Sequence, residues 1–156
     1  MRARSHHGAV TQTTQDSREL SRHECLALLP TVPFGRLVFT EGALPAVVPV
    51  NFLLDSAGLV IRTAPGGSVA RVADGSVVAL QADDVDLARR TGWSVTVVGQ
   101  ARTVRDPVEL ARLEALPLTP WVAGDRSTLV VVEIGIVTGR RIGGPVVVPV
   151  VVPVGQ

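Results

Sequence analysis

The sequence predicts an α+β protein built as a closed or nearly closed barrel of six antiparallel strands with short helices between them. Apolar runs with the two-residue period of strands follow one another from Gly35 onwards, and Gly, Asp and Pro punctuate them. The connections are too short for the crossover helices that a parallel sheet requires. A length of 156 residues suits one domain with a real core.

A short amphipathic helix is predicted near the N-terminus. Ser21 and Glu24 have the spacing of a capping box, and Leu20 is placed to pack against Cys25 across the cap. Pro30 ends this helix, because it cannot donate the next backbone hydrogen bond.

Six strands and two further helices follow. The strands are predicted at 35–40, 44–52, a segment that ends at Arg62, 76–82, 93–104 and 128–142. An acidic loop is predicted at 83–86, and a short helix at 68–73. A last helix begins at Asp106, which is followed by Pro107 and by Glu109, and stops at Pro117.

Composition excludes several kinds of chemistry. The chain has no lysine, since all 15 basic side chains are arginines. It therefore cannot form an aldimine with pyridoxal phosphate, and it cannot contain a P-loop. The net charge of +1 and the lack of a basic stripe argue against a nucleic-acid partner. Cys25 is the single cysteine, which excludes an intrachain disulfide, and no residue set has metal-ligand spacing.

Residues 1–19 are predicted to be a flexible N-terminal arm, 20–142 the barrel domain, and 143–156 a tail rich in proline and valine. The start of the chain lacks the apolar core of a signal peptide, and no apolar run has the length of a membrane span. We therefore expect a cytoplasmic protein without membrane contact.

The segment from Arg62 to Ser68 is the strongest candidate for an anion site. An apolar strand ends at Arg62, passes through Gly66 and Gly67, and opens a short helix at Ser68. Arginine supplies charge and donors, glycines let a ligand approach the backbone, and a helix start presents free N–H groups. The alternative is a surface arginine before an ordinary turn.

Two further features could complete a ligand pocket. Trp93 opens a strand, and its indole could cover a planar ring or could equally belong to the core. Asn51 follows an apolar strand, and its amide could bind a ligand edge or could cap the strand end.

The order of these motifs resembles the pyridoxamine 5′-phosphate oxidase-like family of FMN-binding split barrels, in the small form common in actinobacteria. The resemblance covers about Leu20 to Ile142. It depends on the following segments: Glu24-Cys25-Leu26-Ala27-Leu28-Leu29, Phe34-Gly35-Arg36-Leu37, Pro49-Val50-Asn51-Phe52, Arg62-Thr63, Gly92-Trp93-Ser94-Val95, Pro120-Trp121 and Val137-Thr138-Gly139-Arg140-Arg141-Ile142.

The resemblance implies a homodimer with two flavin sites at the subunit interface. Arg62 and Ser68 would hold the FMN phosphate, assisted by Thr63 and the Gly66-Gly67 backbone. The strand Pro49-Val50-Asn51 would lie along the isoalloxazine ring. Trp93, Ser94 and Arg140 would approach from the partner chain or cover the pocket.

The function expected from the resemblance is hydride transfer by an FMN-dependent oxidoreductase on a small molecule, with no catalytic residue or substrate identified. True pyridoxamine phosphate oxidase activity is not expected, because the C-terminal segment that serves that substrate is missing. Two alternatives stay open. One is a deazaflavin-dependent reductase, in which Arg36 and Arg71 would meet the acidic tail of the cofactor. The other is a non-catalytic flavin-binding module.

Overall fold

The computed structural model describes residues 17–143, and the predicted arm up to residue 16 and the tail from residue 144 lie outside that range. The elements run in this order: β1 (Arg18–Glu19), α1 (Arg22–Leu28), a 3-10 turn (Leu29–Thr31), β2 (Phe34–Glu41), β3 (Leu44–Asp55), β4 (Gly58–Thr63), α2 (Ser68–Ala73), β5 (Val77–Asp86), β6 (Thr91–Thr103), α3 (Pro107–Glu114), β7 (Thr128–Val132) and β8 (Ile136–Ile142). None of the described helices is long and apolar enough to cross a membrane.

Six strands close into a ring in the order β6, β5, β2, β3, β4, β7 and back to β6, and every pair is antiparallel. This confirms the predicted α+β barrel. Outside the ring, β8 pairs with the first half of β6, and the two-residue β1 pairs with β8. One edge of β6 is therefore shared, since Ala101–Thr103 joins β7 to close the ring and Gly92–Val98 joins β8, which extends the sheet beyond the ring.

The single strand predicted at 128–142 is wrong, because the chain breaks at Glu133–Gly135 and forms β7 and β8 instead. The reason lies in β6. Its end, Ala101–Thr103, pairs with β7, whereas Gly92–Val98 pairs with β8. At the switch between them, a Cβ on Gly99 would overlap the carbonyl oxygen of Glu133, so only glycine lets the two backbones approach this closely.

The predicted acidic loop at 83–86 is also wrong. These residues extend β5, and Asp83 pairs with Ser94 while Asp86 pairs with Thr91. The turn that closes this hairpin explains the extension. The Asp86 carboxylate accepts hydrogen bonds from the Arg89 backbone N–H at 2.9 Å and from the Arg89 guanidinium at 2.7 Å. An aspartate whose carboxylate caps a turn can be the last residue of a strand, so acidic residues at this point need not form a loop.

The predicted helix signals are confirmed. Ser21 and Glu24 form the reciprocal capping box of α1, with contacts of 3.2 and 2.8 Å. Asp106 caps α3 by accepting from the Glu109 N–H at 2.8 Å. The helix predicted at 68–73 has those bounds. The α-helix at the N-terminus ends before Pro30, which lies in the 3-10 turn that follows.

Two apolar clusters hold the barrel together. The larger fills its interior and includes Leu37, Ile61, Leu80 and Val97, each without exposed surface. The smaller lies on the outside of β4 and β7, where α3 covers Val60, Leu129 and Val131 with Leu113 and its neighbours. As a result β4 is buried on both of its faces from Gly58 to Ile61, and only its end is left to carry polar side chains.

Candidate functional site

The loop between β4 and α2 is the best-formed part of the predicted anion site. Gly66 has φ +69°, and a Cβ there would meet nothing within 4 Å, so the loop opens outward. Thr63 is only 6 % exposed, and a Cβ on Gly67 would lie 3.9 Å from its hydroxyl oxygen. Ser68 is the first residue of α2. The structure thus brings Thr63, Gly66, Gly67 and Ser68 together, and we call this segment the glycine loop.

Arg71, the fourth residue of α2, is an arginine that contacts the glycine loop directly. Its guanidinium donates to the Gly66 carbonyl oxygen at 2.9 Å and to the Glu41 carboxylate at 2.8 Å. The first contact fixes the loop, and the second ties it to the end of β2. The Arg71 side chain remains 59 % exposed, so it can exchange the glutamate for a ligand oxyanion.

Arg62 does not share this position. Successive side chains of a strand point to opposite faces, so Arg62 and Thr63 diverge. Arg62 donates from Nη2 to the Glu114 carbonyl oxygen at 2.7 Å, at the end of α3, and its buried Nε has no partner. Strand alternation thus sends the Arg62 guanidinium to the α3 side, away from Ser68, and Arg71 is the arginine that contacts the loop. That Arg62 and Ser68 hold the FMN phosphate stays a prediction.

Four other predicted site residues lie on the outer face of the sheet formed by β8, β6, β5, β2 and β3, which we call the flat face. Pairing carries this face across the strands, from Asn51 and Pro49 on β3 to Ser94 on β6, which lies opposite Arg140 on β8. These residues therefore share one face of the sheet, with β5 and β2 between Ser94 and Asn51, although up to 91 positions separate them in the chain.

Two of the predicted residues point the other way. Val50 is 8 % exposed and Trp93 is 6 % exposed, and both belong to the barrel core. Their roles beside a flavin, the strand of Val50 along the ring and Trp93 over the pocket, stay predictions. For Trp93 the alternative interpretation, a core tryptophan, describes the structure.

Asn51 has both ends of its amide engaged. Nδ2 donates to the Pro33 carbonyl oxygen at 3.2 Å, and Oδ1 accepts from the Trp121 backbone N–H at 2.9 Å. The Trp121 ring stacks on Phe34 at a centroid distance of 5.5 Å. Asn51 lies within β3, which runs on to Asp55, so its amide links β3 to the Pro33 and Trp121 segments rather than capping a strand end. It also shapes one wall of a cavity of about 650 Å³.

The flat face carries a polar cluster that the sequence did not reveal. Gln81 Nε2 donates to the Asp83 carboxylate at 2.7 Å and to Ser94 Oγ at 3.3 Å. Arg36 donates to both Gln81 and Asp83 at 3.3 Å. The alternating Gln81-Ala82-Asp83 pattern would have indicated it, had Asp83 been assigned to a strand rather than to a loop.

Two described groups outside the glycine loop are each held in one protonation state. Hydrogen bonds from Arg105 and from the Thr103 backbone hold the pKa of Asp74 below its ordinary value, so this carboxylate is charged at neutral pH. Burial raises the pKa of the Cys25 thiol, which keeps it protonated. Among the described residues no cluster of His, Cys, Asp and Glu is arranged to hold a metal ion.

The family profile described as pyridoxamine 5′-phosphate oxidase matches residues 21–141. The uncharacterized protein Rv0080 of Mycobacterium tuberculosis is 46 % identical over 139 residues, which cover 86 % of this chain and 91 % of that one. The chain therefore belongs to the pyridoxamine 5′-phosphate oxidase-like family.

Solved structures agree with this assignment. The FAD-binding protein from Mycobacterium smegmatis has a TM-score of 0.69 and 37 % identity, covering 81 % of this chain and 98 % of that one. An FAD-binding protein from Mesorhizobium loti has a TM-score of 0.63 and 26 % identity, covering 80 % and 97 % respectively. These relatives are flavin-binding proteins of the same fold.

Proposed function

We propose that this chain is a flavin-binding oxidoreductase in which the glycine loop and Arg71 hold the phosphate next to the ribityl chain. The observation that carries the proposal is the loop itself. The Thr63 hydroxyl, an open Gly66-Gly67 backbone and the Arg71 guanidinium are gathered at one end of the barrel. Phosphate oxygens need charge and hydrogen-bond donors of this kind. The FAD-binding relatives above 25 % identity support it.

The residues present fit the phosphate of a flavin. Because a Cβ at Gly66 would meet nothing, the space beside the loop is free for a ligand. When bound, the flavin supplies the hydride chemistry, and the protein supplies position and electrostatics. Arg71 neutralises the phosphate, Thr63 and Ser68 orient it, and the flat face offers Pro49 and Ser94 as a wall. FMN is the smallest flavin with these groups, and FAD contains the same portion.

We further propose that a second copy of the chain covers the flat face and completes the flavin site. One cross-strand row of this face is entirely apolar: Ile136, Val98, Ala79, Val38 and Val47. Ile136 is 67 % exposed and Val47 is 60 % exposed. Burying such a row is favourable, and a twofold axis lets the same surface serve both protomers. The adjacent rows, with Arg36, Asp83 and Arg140, would then border the cofactor.

The experiment is a titration of the purified protein with FMN, followed by quenching of flavin fluorescence. We expect Arg71→Gln to weaken binding by about tenfold or more, since a charged hydrogen bond contributes about 1.5–3 kcal/mol. Thr63→Val should weaken it less, because it removes one neutral contact. Arg105→Gln is the matched control, because it also breaks an arginine–carboxylate pair, in this case with Asp74 just after α2. Equal affinity in the Arg71 variant and the control would contradict the assignment.

Two further arms of the titration separate the alternatives. A deazaflavin with an acidic tail should bind more weakly than FMN, because Arg36 is already paired with Asp83 and Arg71 would be occupied by the phosphate that both cofactors carry. Tighter deazaflavin binding would favour the deazaflavin-dependent reductase. Bound flavin that neither a nicotinamide nor dithionite reduces would favour the non-catalytic module.

A further inference from the structure

The cavity beside Asn51 lies between members of the two apolar clusters. Its volume of about 650 Å³ is within the range of small-molecule sites. Phe52 and Leu54 line it from the larger cluster, and Leu116 and Leu118 line it from the smaller one. No residue of the glycine loop lines it. We call this space the cluster cavity.

A short stretch of sheet edge lies along the cluster cavity. The Phe52 N–H donates to the Pro33 carbonyl oxygen at 3.2 Å, but proline has no N–H to return to the Phe52 carbonyl. Backbone groups of an antiparallel strand alternate between its two edges, so Leu54 turns its N–H and carbonyl to the same edge as Phe52. Because β2 pairs with β3 no further than Asn51, no described strand covers Leu54 on that edge. The edge therefore presents one N–H between two carbonyl oxygens.

An exposed indole lines the same cavity. Trp121 is 66 % exposed, although its ring stacks on Phe34 with an angle of 12° between the two planes. The Asn51 amide oxygen accepts from the Trp121 backbone N–H at 2.9 Å, so the backbone and the ring are both held in place. A second planar ring that stacks on a held indole gains attraction beyond the area that it buries.

The charge of the lining favours uncharged ligands. Among the described residues that line the cluster cavity, Asp55 alone ionises. Its carboxylate oxygens already accept from the Arg112 guanidinium at 3.2 and 2.9 Å. An anion would meet no counter-charge in this lining and would lie near Asp55, whereas a cation would have to displace Arg112. An uncharged molecule meets neither cost.

We infer that the cluster cavity binds an uncharged planar aromatic lactam, which is a ring system with an N–H beside a carbonyl group. The ligand N–H donates to the Phe52 carbonyl oxygen, the ligand carbonyl accepts from the Leu54 N–H, and the ring stacks on Trp121. The open edge offers a single N–H, which is too short for an extended peptide to add as a strand. This inference does not rest on the proposed function, because the cavity and the glycine loop share no residue.

The test is a calorimetric titration of the purified protein with 2-quinolinone, an uncharged bicyclic lactam. We expect one molecule to bind per chain. N-methyl-2-quinolinone should bind about tenfold more weakly, because it cannot donate to the Phe52 carbonyl and leaves that acceptor unpaired. The anionic 2-quinolinone-4-carboxylate should also bind more weakly, since the lining offers it no cation. Equal affinities for the three compounds, or no binding of 2-quinolinone, would overturn the inference.

Variants at the indole locate the binding site. Trp121→Ala should weaken 2-quinolinone binding by about threefold to tenfold because stacking is lost, and Trp121→Phe should retain most of the affinity. Val122→Ala is the matched control, since Val122 is the next residue, is 62 % exposed and does not line this cavity. Unchanged affinity in Trp121→Ala, or an equal loss in Val122→Ala, would contradict the site.

The three compounds test the wild-type protein itself, so the inference stays testable if Trp121→Ala unfolds. A last titration with 2-quinolinone is made in the presence of saturating FMN, and we expect the lactam affinity to stay within about twofold, since the two sites share no lining residue. Competition between FMN and 2-quinolinone would overturn the inference and leave the proposed function standing. Wild type that binds 2-quinolinone but not FMN would overturn the proposed function alone.

Discussion

At the scale of single residues, Asn51 shows how a polar side chain predicted to meet a ligand can serve the fold. Its amide joins β3 to the Pro33 carbonyl and to the Trp121 N–H, and so fixes the segment that runs beside two cavities. The residue type was informative, because an amide can donate and accept at once. The partners could not be foreseen, since Trp121 lies 70 residues away in the chain.

We predict that Asn51→Ala lowers the free energy of unfolding by about 1 kcal/mol, the typical net contribution of hydrogen bonds that are partly exposed. The Trp121 segment should loosen, and tryptophan emission should change, since Trp93 remains in the core. Urea unfolding with fluorescence detection measures both effects. Asn51→Asp is the control, because it keeps the acceptor for the Trp121 N–H. Wild-type stability and wild-type tryptophan emission in Asn51→Ala would contradict this role of the Asn51 amide.

At the scale of elements, α3 is fastened to the barrel by the pair of Arg112 and Asp55. The guanidinium donates to both carboxylate oxygens, at 3.2 and 2.9 Å, and links the last turn of α3 to the end of β3. Hydrogen bonds from Arg112, and from the Ala57 backbone, lower the pKa of Asp55 from 3.8 to about 2. The pair therefore holds together the smaller apolar cluster, in which α3 covers Val60 and Leu129.

This pair gives the stability a defined dependence on pH. Since the folded-state pKa of Asp55 is lowered, its contribution is fully present above about pH 4 and is lost as the pH falls towards 2. Asp55→Asn should lower stability at pH 7 and remove part of the acid sensitivity in that window. Urea unfolding at pH 7, 5 and 3 measures this, with the exposed Asp84→Asn as the control. Parallel pH profiles for wild type and Asp55→Asn would contradict the role of the pair.

At the scale of the whole molecule, the flat face carries an apolar row whose two ends are exposed among the described residues. Its apolar row ends at Val47 and Ile136, which are among the most exposed large apolar residues described. The inner side of the same strands is filled by the core, so the two sides of this sheet differ in kind. An antiparallel sheet can leave a polar outer face in water, but an apolar outer row such as this one is favourably covered by another surface.

We predict that the wild-type protein sediments as a dimer and that Val47→Glu shifts it to the monomer, because a charge in the apolar row would be buried unpaired at the interface. The flavin affinity of Val47→Glu should also fall, because the monomer lacks the part of the site that the second copy of the chain supplies. Leu87→Glu is the control, since Leu87 is 85 % exposed and lies on the β5–β6 turn rather than in the row. A monomeric wild type, measured by analytical ultracentrifugation at working concentration, would refute the dimer.

The sequence by itself determined the elements whose signals are local. The capping box at Ser21, the cap at Asp106 and the short connection between the strands predicted at 35–40 and 44–52 each depend on residues a few positions apart. Each is found in the structure. The glycine loop was found for the same reason, because its glycines and Ser68 are contiguous. The order of such motifs also sufficed to identify the family.

Only the tertiary structure decided which face each side chain of the site takes. Alternation tells the faces of a strand apart when one face is polar, but β4 is buried on both faces up to Ile61, so the direction of Arg62 could not be read from its neighbours. Packing against α3 settled it. The break between β7 and β8 was likewise set by Gly99 and Glu133, whose close approach depends on contacts between distant parts of the chain.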